Sequence, residues 1–135
     1  MPEVTPRERF IASLDRCTDS DKFIPAFYER FLDSSTEIRS KFTHTDFESQ
    51  NLMLVRSLKL AAGSTSGEVE SLRELRERAE THDRHHLNIK PAHYEVWLET
   101  VIQVAQEFDP HWHDEIEVAW REILGFVILR MVKYY

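Results

Sequence analysis

The chain has 135 residues, a length typical of one domain, so we expect a single domain over residues 1–135. Three glycines and five prolines are too few for the regular turns of a β-sandwich. The 24 acidic residues outnumber the 17 basic ones, and the resulting formal charge of −7 repels phosphate backbones, which argues against nucleic-acid binding.

The cysteine content and the lack of long apolar segments bear on compartment. Cys17 is the only cysteine, so an internal disulfide and a multi-cysteine zinc site are both excluded. Residues 1–9 contain no apolar core of the kind that a secretory signal needs, and no window approaches 18 consecutive apolar residues. We therefore expect a cytoplasmic protein with no membrane partner.

Helix-start signals recur along the chain, whereas strand-like alternation is nearly absent. Thr5, Pro6 and Glu8 supply a cap residue, a proline in the first helical position and an acidic residue three places after the cap. Apolar residues then follow at a spacing of three to four. This pattern predicts a first helix that ends near Cys17.

The second helix carries most of the aromatic residues on one broad face. Asp19 or Ser20 is expected to cap it. Pro25 lies near its start, where we expect the loss of one backbone hydrogen bond and a bend in the first turns. The residues of the apolar face are Phe23, Phe27, Tyr28, Phe31 and Leu32.

Two further helices are predicted before the middle of the chain. A short one over residues 36–41 would be opened by Ser34 or Ser35. The next would be capped by Asp46 and would stop at Gly63, because glycine is the residue that most often follows a helix end.

The second half of the chain shows one loop and three more helix starts. Residues 64–67 are predicted to form the loop, and residues 71–74 match a second capping box. Pro91 would open a long helix, and Asp109 followed by Pro110 would open the last one. The chain is therefore predicted to be all-α, with six to eight helices and no strands.

Histidines are the main source of chemistry, and two of them could share a helix face. His82 and His86 are four residues apart, so their imidazoles could together bind a transition metal. No carboxylate or cysteine at a matching spacing completes such a site. The alternative is a solvated helix end at which cationic side chains are favoured, and the spacing leaves both interpretations open.

A series of short motifs recurs in a fixed order from about Phe10 to the C-terminus. They are Phe27–Phe31, Glu37–Phe42, Thr45–Gln50 with Leu54, Ala79–His82, Ile89–Tyr94 and Val118–Trp120. In this order and spacing, the chain resembles bacterial single-domain globins. The resemblance implies a globin-like fold of six to eight helices around a haem pocket, with haem (iron protoporphyrin IX) as cofactor.

The resemblance implies a proximal side built on His82. This residue matches the histidine that ligates haem iron, a role that requires a neutral imidazole whose other N–H has an acceptor. The hydroxyl of Thr81, or a backbone carbonyl one turn back, would be that acceptor. Phe42 matches the corner phenylalanine that wedges against the porphyrin, although it is also compatible with an ordinary core position.

The resemblance also implies a distal side. Tyr28 and Gln50 match the distal tyrosine and glutamine of many bacterial globins and would donate hydrogen bonds to bound dioxygen. Leu54 would fill the distal wall, and Ile89 would touch the porphyrin edge. The cations expected near the propionates are His86, Arg84 and Lys90.

The chain departs from the family pattern in three places. The stretch from His82 to Pro91 is longer than in many globins, so a strict count from Tyr94 places Arg84 at the ligand position. Since arginine does not ligate iron, we keep His82 as the ligand, with His85 as the fallback. Arg78 stands one turn before His82, where the family usually has leucine. The sequence ends Lys133-Tyr134-Tyr135, where flavohaemoglobins have an activating glutamate.

Three functions follow as hypotheses. The first is a haem globin that binds oxygen or another diatomic gas as a carrier, store or sensor. The second is a haem-free globin-fold interaction or sensor module, suggested by the arginines at 78 and 84. The third is an enzyme, a nitric oxide dioxygenase or a peroxidase, for which a separate reductase would supply electrons. We expect a binding protein rather than an enzyme, and the sequence leaves open whether it forms a homodimer.

Overall fold

Seven α-helices and no strand make up the part of the chain that the structure describes. The computed structural model describes residues 4–65, 67, 69–82 and 89–133, the side chains of 65 and 79–81 excepted. The helices are α1 (Pro6–Thr18), α2 (Phe23–Asp33), α3 (Thr36–Ser40), α4 (Phe47–Thr65), α5 (Val69–His82), α6 (Pro91–Phe108) and α7 (Asp114–Lys133). The predicted all-α class is confirmed.

Three predicted helix starts are confirmed by their caps. The Thr5 hydroxyl accepts a hydrogen bond from the Glu8 amide at 3.1 Å. Ser35 caps α3 through its side chain, and the Asp46 carboxylate accepts from the backbone of the first turn of α4. Each of these oxygens satisfies an N–H that has no partner inside its own helix.

The predicted stop at Gly63 is wrong, because α4 continues to Thr65. Ser64 is buried and its hydroxyl donates to the carbonyl of Leu60 at 3.0 Å, so it belongs to the helix and not to a loop. The left-handed backbone that a glycine favours occurs at Gly67, which has a φ of 80°. The glycine with the left-handed backbone is therefore Gly67 and not Gly63.

Three other boundary predictions are also corrected. Ser71 lies inside the first turn of α5, which begins at Val69. Pro25 is the third residue of α2, where a backbone N–H has no intrahelical acceptor, so no hydrogen bond is lost. Asp109 ends α6 and does not open α7, which begins at Asp114.

Helix α7 is the central element of the core. It packs against α1, α4, α5 and α6, while α2 packs against α6. Trp120 of α7 is fully buried and meets the edge of Phe10 of α1, with ring centroids 4.8 Å apart. The large buried aromatic side chains that anchor this core are Phe10, Phe23, Phe27 and Trp120.

A buried polar network joins α1 to the ends of α6 and α7. Trp120 Nε1 donates to Ser13 Oγ at 2.9 Å, and the Ser13 hydroxyl donates to Asp109 at 2.6 Å. The guanidinium of Arg16 and the backbone N–H of His111 donate to the same carboxylate. Burial alone would raise the pKa of Asp109, but these donors together lower it.

No helix within the described ranges is both long enough and apolar enough to cross a bilayer.

We expect Asp109→Asn to lower the free energy of unfolding at pH 7 by about 2–3 kcal/mol, since it weakens several charge-assisted hydrogen bonds at once. The folded pKa of Asp109 is depressed, so its contribution is complete above the unfolded pKa and is lost as pH falls through the folded value. Urea unfolding of both proteins should therefore show a difference that narrows below about pH 4.

Glu107→Gln is the matched control for Asp109→Asn. It removes a carboxylate from the ion pair of Arg30 and Glu107, in which both side chains are about half exposed. We expect a change of less than about 1 kcal/mol. An equal effect of the two substitutions would contradict the role given to the buried network.

Candidate functional site

Tyr28 of α2 and Gln50 of α4 lie in hydrogen-bond contact. Gln50 Nε2 donates to Tyr28 Oη at 3.1 Å, and the Tyr28 hydroxyl lies 3.4 Å from the main-chain oxygen of Gln50. Tyr28 is buried and Gln50 is half-buried. The two residues that the sequence placed together on one side of a pocket are thus neighbours, although they are 22 positions apart.

Aromatic rings surround this pair. The rings of Phe42 and Phe47 stack with centroids 6.2 Å apart. Both meet Tyr28 edge to face, at 6.0 and 5.6 Å. Leu54 is buried one turn after Gln50. The hydroxyl of Tyr28 and the amide of Gln50 are therefore polar groups in an otherwise apolar environment.

Phe47 was not among the predicted site residues. It directly follows the cap Asp46 and precedes Gln50 by three positions, which places it on the same face of α4. That spacing was the signal that could have identified it.

The Tyr28 phenol is protonated at neutral pH, as an ordinary phenol is, and its environment strengthens that preference. Burial raises its pKa to about 12, and the hydrogen bond with Gln50 opposes that shift only in part. At neutral pH the Tyr28 hydroxyl is therefore a hydrogen-bond donor.

His82 is the last residue of α5, and its ring is hydrogen-bonded to the backbone one turn earlier in the same helix. Its Nδ1 lies 2.7 Å from the carbonyl oxygen of Arg78. Because that oxygen can only accept, Nδ1 carries the proton, and a neutral ring then has its lone pair on Nε2. Burial lowers the pKa of His82, and the positive charge of Arg78 lowers it further. These are the features that a metal-binding imidazole requires.

The chain returns to His82 after the segment 83–88. The backbone N–H of Ile89 donates to the carbonyl of His82 at 3.0 Å, which brings half-buried Ile89 close to the end of α5. The Thr81 side chain and residues Arg84, His85 and His86 lie outside the described part of the chain.

Lys90 has an ion-pair partner in α3. Its Nζ lies 2.9 Å from a carboxylate oxygen of Glu37. The same carboxylate is 3.6 Å from the ring of His93.

Arg78 occupies the interface between α5 and α4. Its guanidinium donates to Ser57 of α4 and to Glu74, one turn back on α5. The Glu74 carboxylate also accepts two hydrogen bonds from the guanidinium of Arg56 in α4. The Arg78 Nε is buried and has no acceptor among the described residues, which costs about 1–3 kcal/mol. A leucine here would avoid that cost.

These contacts give the relative direction of α4 and α5. Ser57 and Arg78 lie at similar distances from the connection between the two helices, which therefore run in opposite directions. Gln50 lies about 10 Å back along α4 from Ser57, and His82 lies about 6 Å forward along α5 from Arg78. Both displacements point to the same end of the pair, so Gln50 and His82 lie towards that end.

A surface cleft of about 320 Å³ opens beside Phe42 and Phe47. Neither Tyr28, Gln50 nor His82 lines it. We therefore define the candidate site by the chemistry of the facing residues on α2, α4 and α5 and not by this cleft.

The comparison with known families decides the identity of this arrangement. A family model described as Globin matches residues 25–131. The chain belongs to the globin family. This globin is also similar to the crystal structure of a protein, PA3967, from Pseudomonas aeruginosa PAO1, described as structurally highly homologous to a human hemoglobin. The two share 32% identity with a TM-score of 0.92, over 97% of this chain and 98% of the other. A comparison with curated protein sequences finds no match.

The residues present fit the haem that globins bind. His82 offers Nε2, a good ligand for iron, while its Nδ1 is occupied by a backbone carbonyl. Aromatic and aliphatic side chains suit a flat apolar ring, and Tyr28 with Gln50 supplies donors on another wall. Among the described residues, no group of three or more His, Cys, Asp or Glu side chains is arranged to hold a metal ion.

We expect the ring of His82, in protein prepared without haem, to titrate below its ordinary value of about 6.5, because burial disfavours the charged form. Proton NMR of the histidine Cε1–H resonances would measure the midpoint. The resonance that disappears in His82→Ala gives the assignment. A midpoint above 6.5 would contradict the buried, neutral imidazole described here.

Proposed function

We propose that this globin binds haem through His82 and holds a diatomic gas, such as dioxygen, beside Tyr28 and Gln50, as a carrier, store or sensor. The observation that carries the proposal is the hydrogen-bonded pair of Tyr28 on α2 and Gln50 on α4, together with a neutral His82 on α5. The description of the Pseudomonas aeruginosa protein as structurally highly homologous to a human hemoglobin supports the same function.

Haem, when bound, would supply an iron that takes a protein ligand on one face and a gas on the other. Tyr28 and Gln50 would orient the gas by donating hydrogen bonds to it. The hydrogen bond from the Tyr28 hydroxyl to the Gln50 carbonyl is long, at 3.4 Å, so little is lost when that proton turns to a ligand. Phe42, Phe47 and Leu54 would exclude water from this side.

On the opposite side, His82 would bind through Nε2. Its Nδ1–H keeps the carbonyl of Arg78 as acceptor, which fixes the tautomer and the orientation of the ring. Because the ring is neutral before it binds, no proton has to leave it. The ligand is therefore ready for iron at neutral pH.

The first test is a haem titration of the purified protein, followed by absorption. We expect a Soret band at one equivalent that shifts on reduction and shifts again with carbon monoxide. His82→Ala should weaken haem affinity at least about tenfold, the scale expected even for outer-shell losses. His113→Ala, a change of an exposed histidine, is the matched control and should leave affinity unchanged. A wild-type protein that takes up no haem would overturn the proposal.

The second test concerns the gas. We expect Tyr28→Phe to bind haem as the wild type does and to release dioxygen about 10-fold to 100-fold faster, because it loses one hydrogen bond to a partly charged ligand. The phenyl ring keeps the contacts with Phe42 and Phe47, so the variant should stay folded.

Stopped-flow measurement of gas release would give these rates. Release of carbon monoxide, which is a weaker acceptor, should change much less and serves as the internal control. Equal effects of Tyr28→Phe on both gases would indicate a packing effect and would count against hydrogen bonding.

A further inference from the structure

The side chain of Arg78 is not explained by stability. It is mostly buried, with 18% of its side chain exposed, and it stands one turn before His82 on α5. Any residue there would supply the carbonyl that holds His82, so the guanidinium is not needed for that contact. Its Nε lacks an acceptor among the described residues, a cost that an apolar side chain would avoid.

Arg78 shares its carboxylate partner with a second cation. Arg56 binds Glu74 through two hydrogen bonds, at 2.9 and 3.3 Å, whereas Arg78 shares only one oxygen of that carboxylate, at 3.2 Å. Within these contacts of the described residues, two cations therefore share one anion. Arg56 is 69% exposed and well screened by water, so the less screened charge is that of Arg78.

We infer that Arg78, one turn before His82 on α5, is an electrostatic positioning residue of the proximal side, whose largely buried guanidinium keeps a positive charge near bound haem and thereby favours the ferrous form of the iron. This inference rests on the proposed function. A positive charge near a metal stabilises the state that has one more electron, and nearby charge and hydrogen bonds are recognised means by which a protein sets a haem potential. The same charge lowers the pKa of His82.

The test is the midpoint potential of the ferric–ferrous couple in the haem-loaded protein, measured by spectroelectrochemistry. Arg78→Leu removes the positive charge and should shift the potential downwards. Glu74→Gln removes the carboxylate that partly neutralises it and should shift the potential upwards. Arg78→Lys keeps the charge and should stay close to the wild type.

Opposite shifts separate an electrostatic role from a structural one. Arg78→Leu and Glu74→Gln both break the same contact between α5 and α4. A purely structural role would therefore move both potentials in one direction or leave both unchanged, and either result overturns the inference. If Arg78→Leu does not fold, Arg78→Gln removes the charge while keeping a donor for Ser57, and the same downward shift is expected.

Two controls complete the design. Arg121→Leu removes a cation from an ion pair with Glu99, between α7 and α6, and should leave the potential unchanged. A wild-type protein that takes up no haem would overturn the proposed function, and this inference with it. A haem-loaded wild type with His82-dependent binding, but with equal potentials in all variants, would overturn this inference alone.

Discussion

The site depends on the pairing of α4 with α5 in opposite directions. The ionic and hydrogen-bonded contacts of Arg56, Ser57, Glu74 and Arg78 join the two helices near their middles. Because the helices run against each other, residues near the start of α4 come to the same end as residues near the close of α5. Gln50 and His82, which are 32 positions apart in the chain, owe their common location to this arrangement.

Burial acts on both sides of the site, with opposite effects on acids and bases. It raises the pKa of the Tyr28 phenol, which keeps its proton. It lowers the pKa of the His82 imidazole, which keeps its lone pair. One physical cause, the cost of holding charge away from water, thus favours the protonated phenol on one helix and the neutral imidazole on another.

Arg78 is the exception to this apolar design. The interface around it carries a charge and a buried Nε donor that has no acceptor among the described residues. Proteins retain such local costs mainly where function requires them. The residue whose backbone carbonyl orients the His82 ring thus also carries this cation, so the geometry and the electrostatics of this part of α5 have a common origin.

The sequence by itself determined the helices and the family. Caps such as Ser35 and Asp46 bind backbone N–H groups two or three residues away, so the helix starts that they mark can be predicted from the local sequence. The resemblance also named Tyr28 and Gln50, which the structure places in contact. The predicted helix end at Gly63 was wrong because packing decides which of two glycines follows a helix. Ser64, directly after Gly63, is buried.

Only the tertiary structure decided the long-range polar contacts. Asp109 looked like a helix start, but its carboxylate instead binds Ser13 and Arg16, more than 90 positions away. The ring of Phe47 in α4 contacts Tyr28 in α2, and the guanidinium of Arg78 in α5 donates to Ser57 in α4. A side chain's partner is set by where the helices meet, and that follows from how all the apolar faces are buried together, which no local pattern contains.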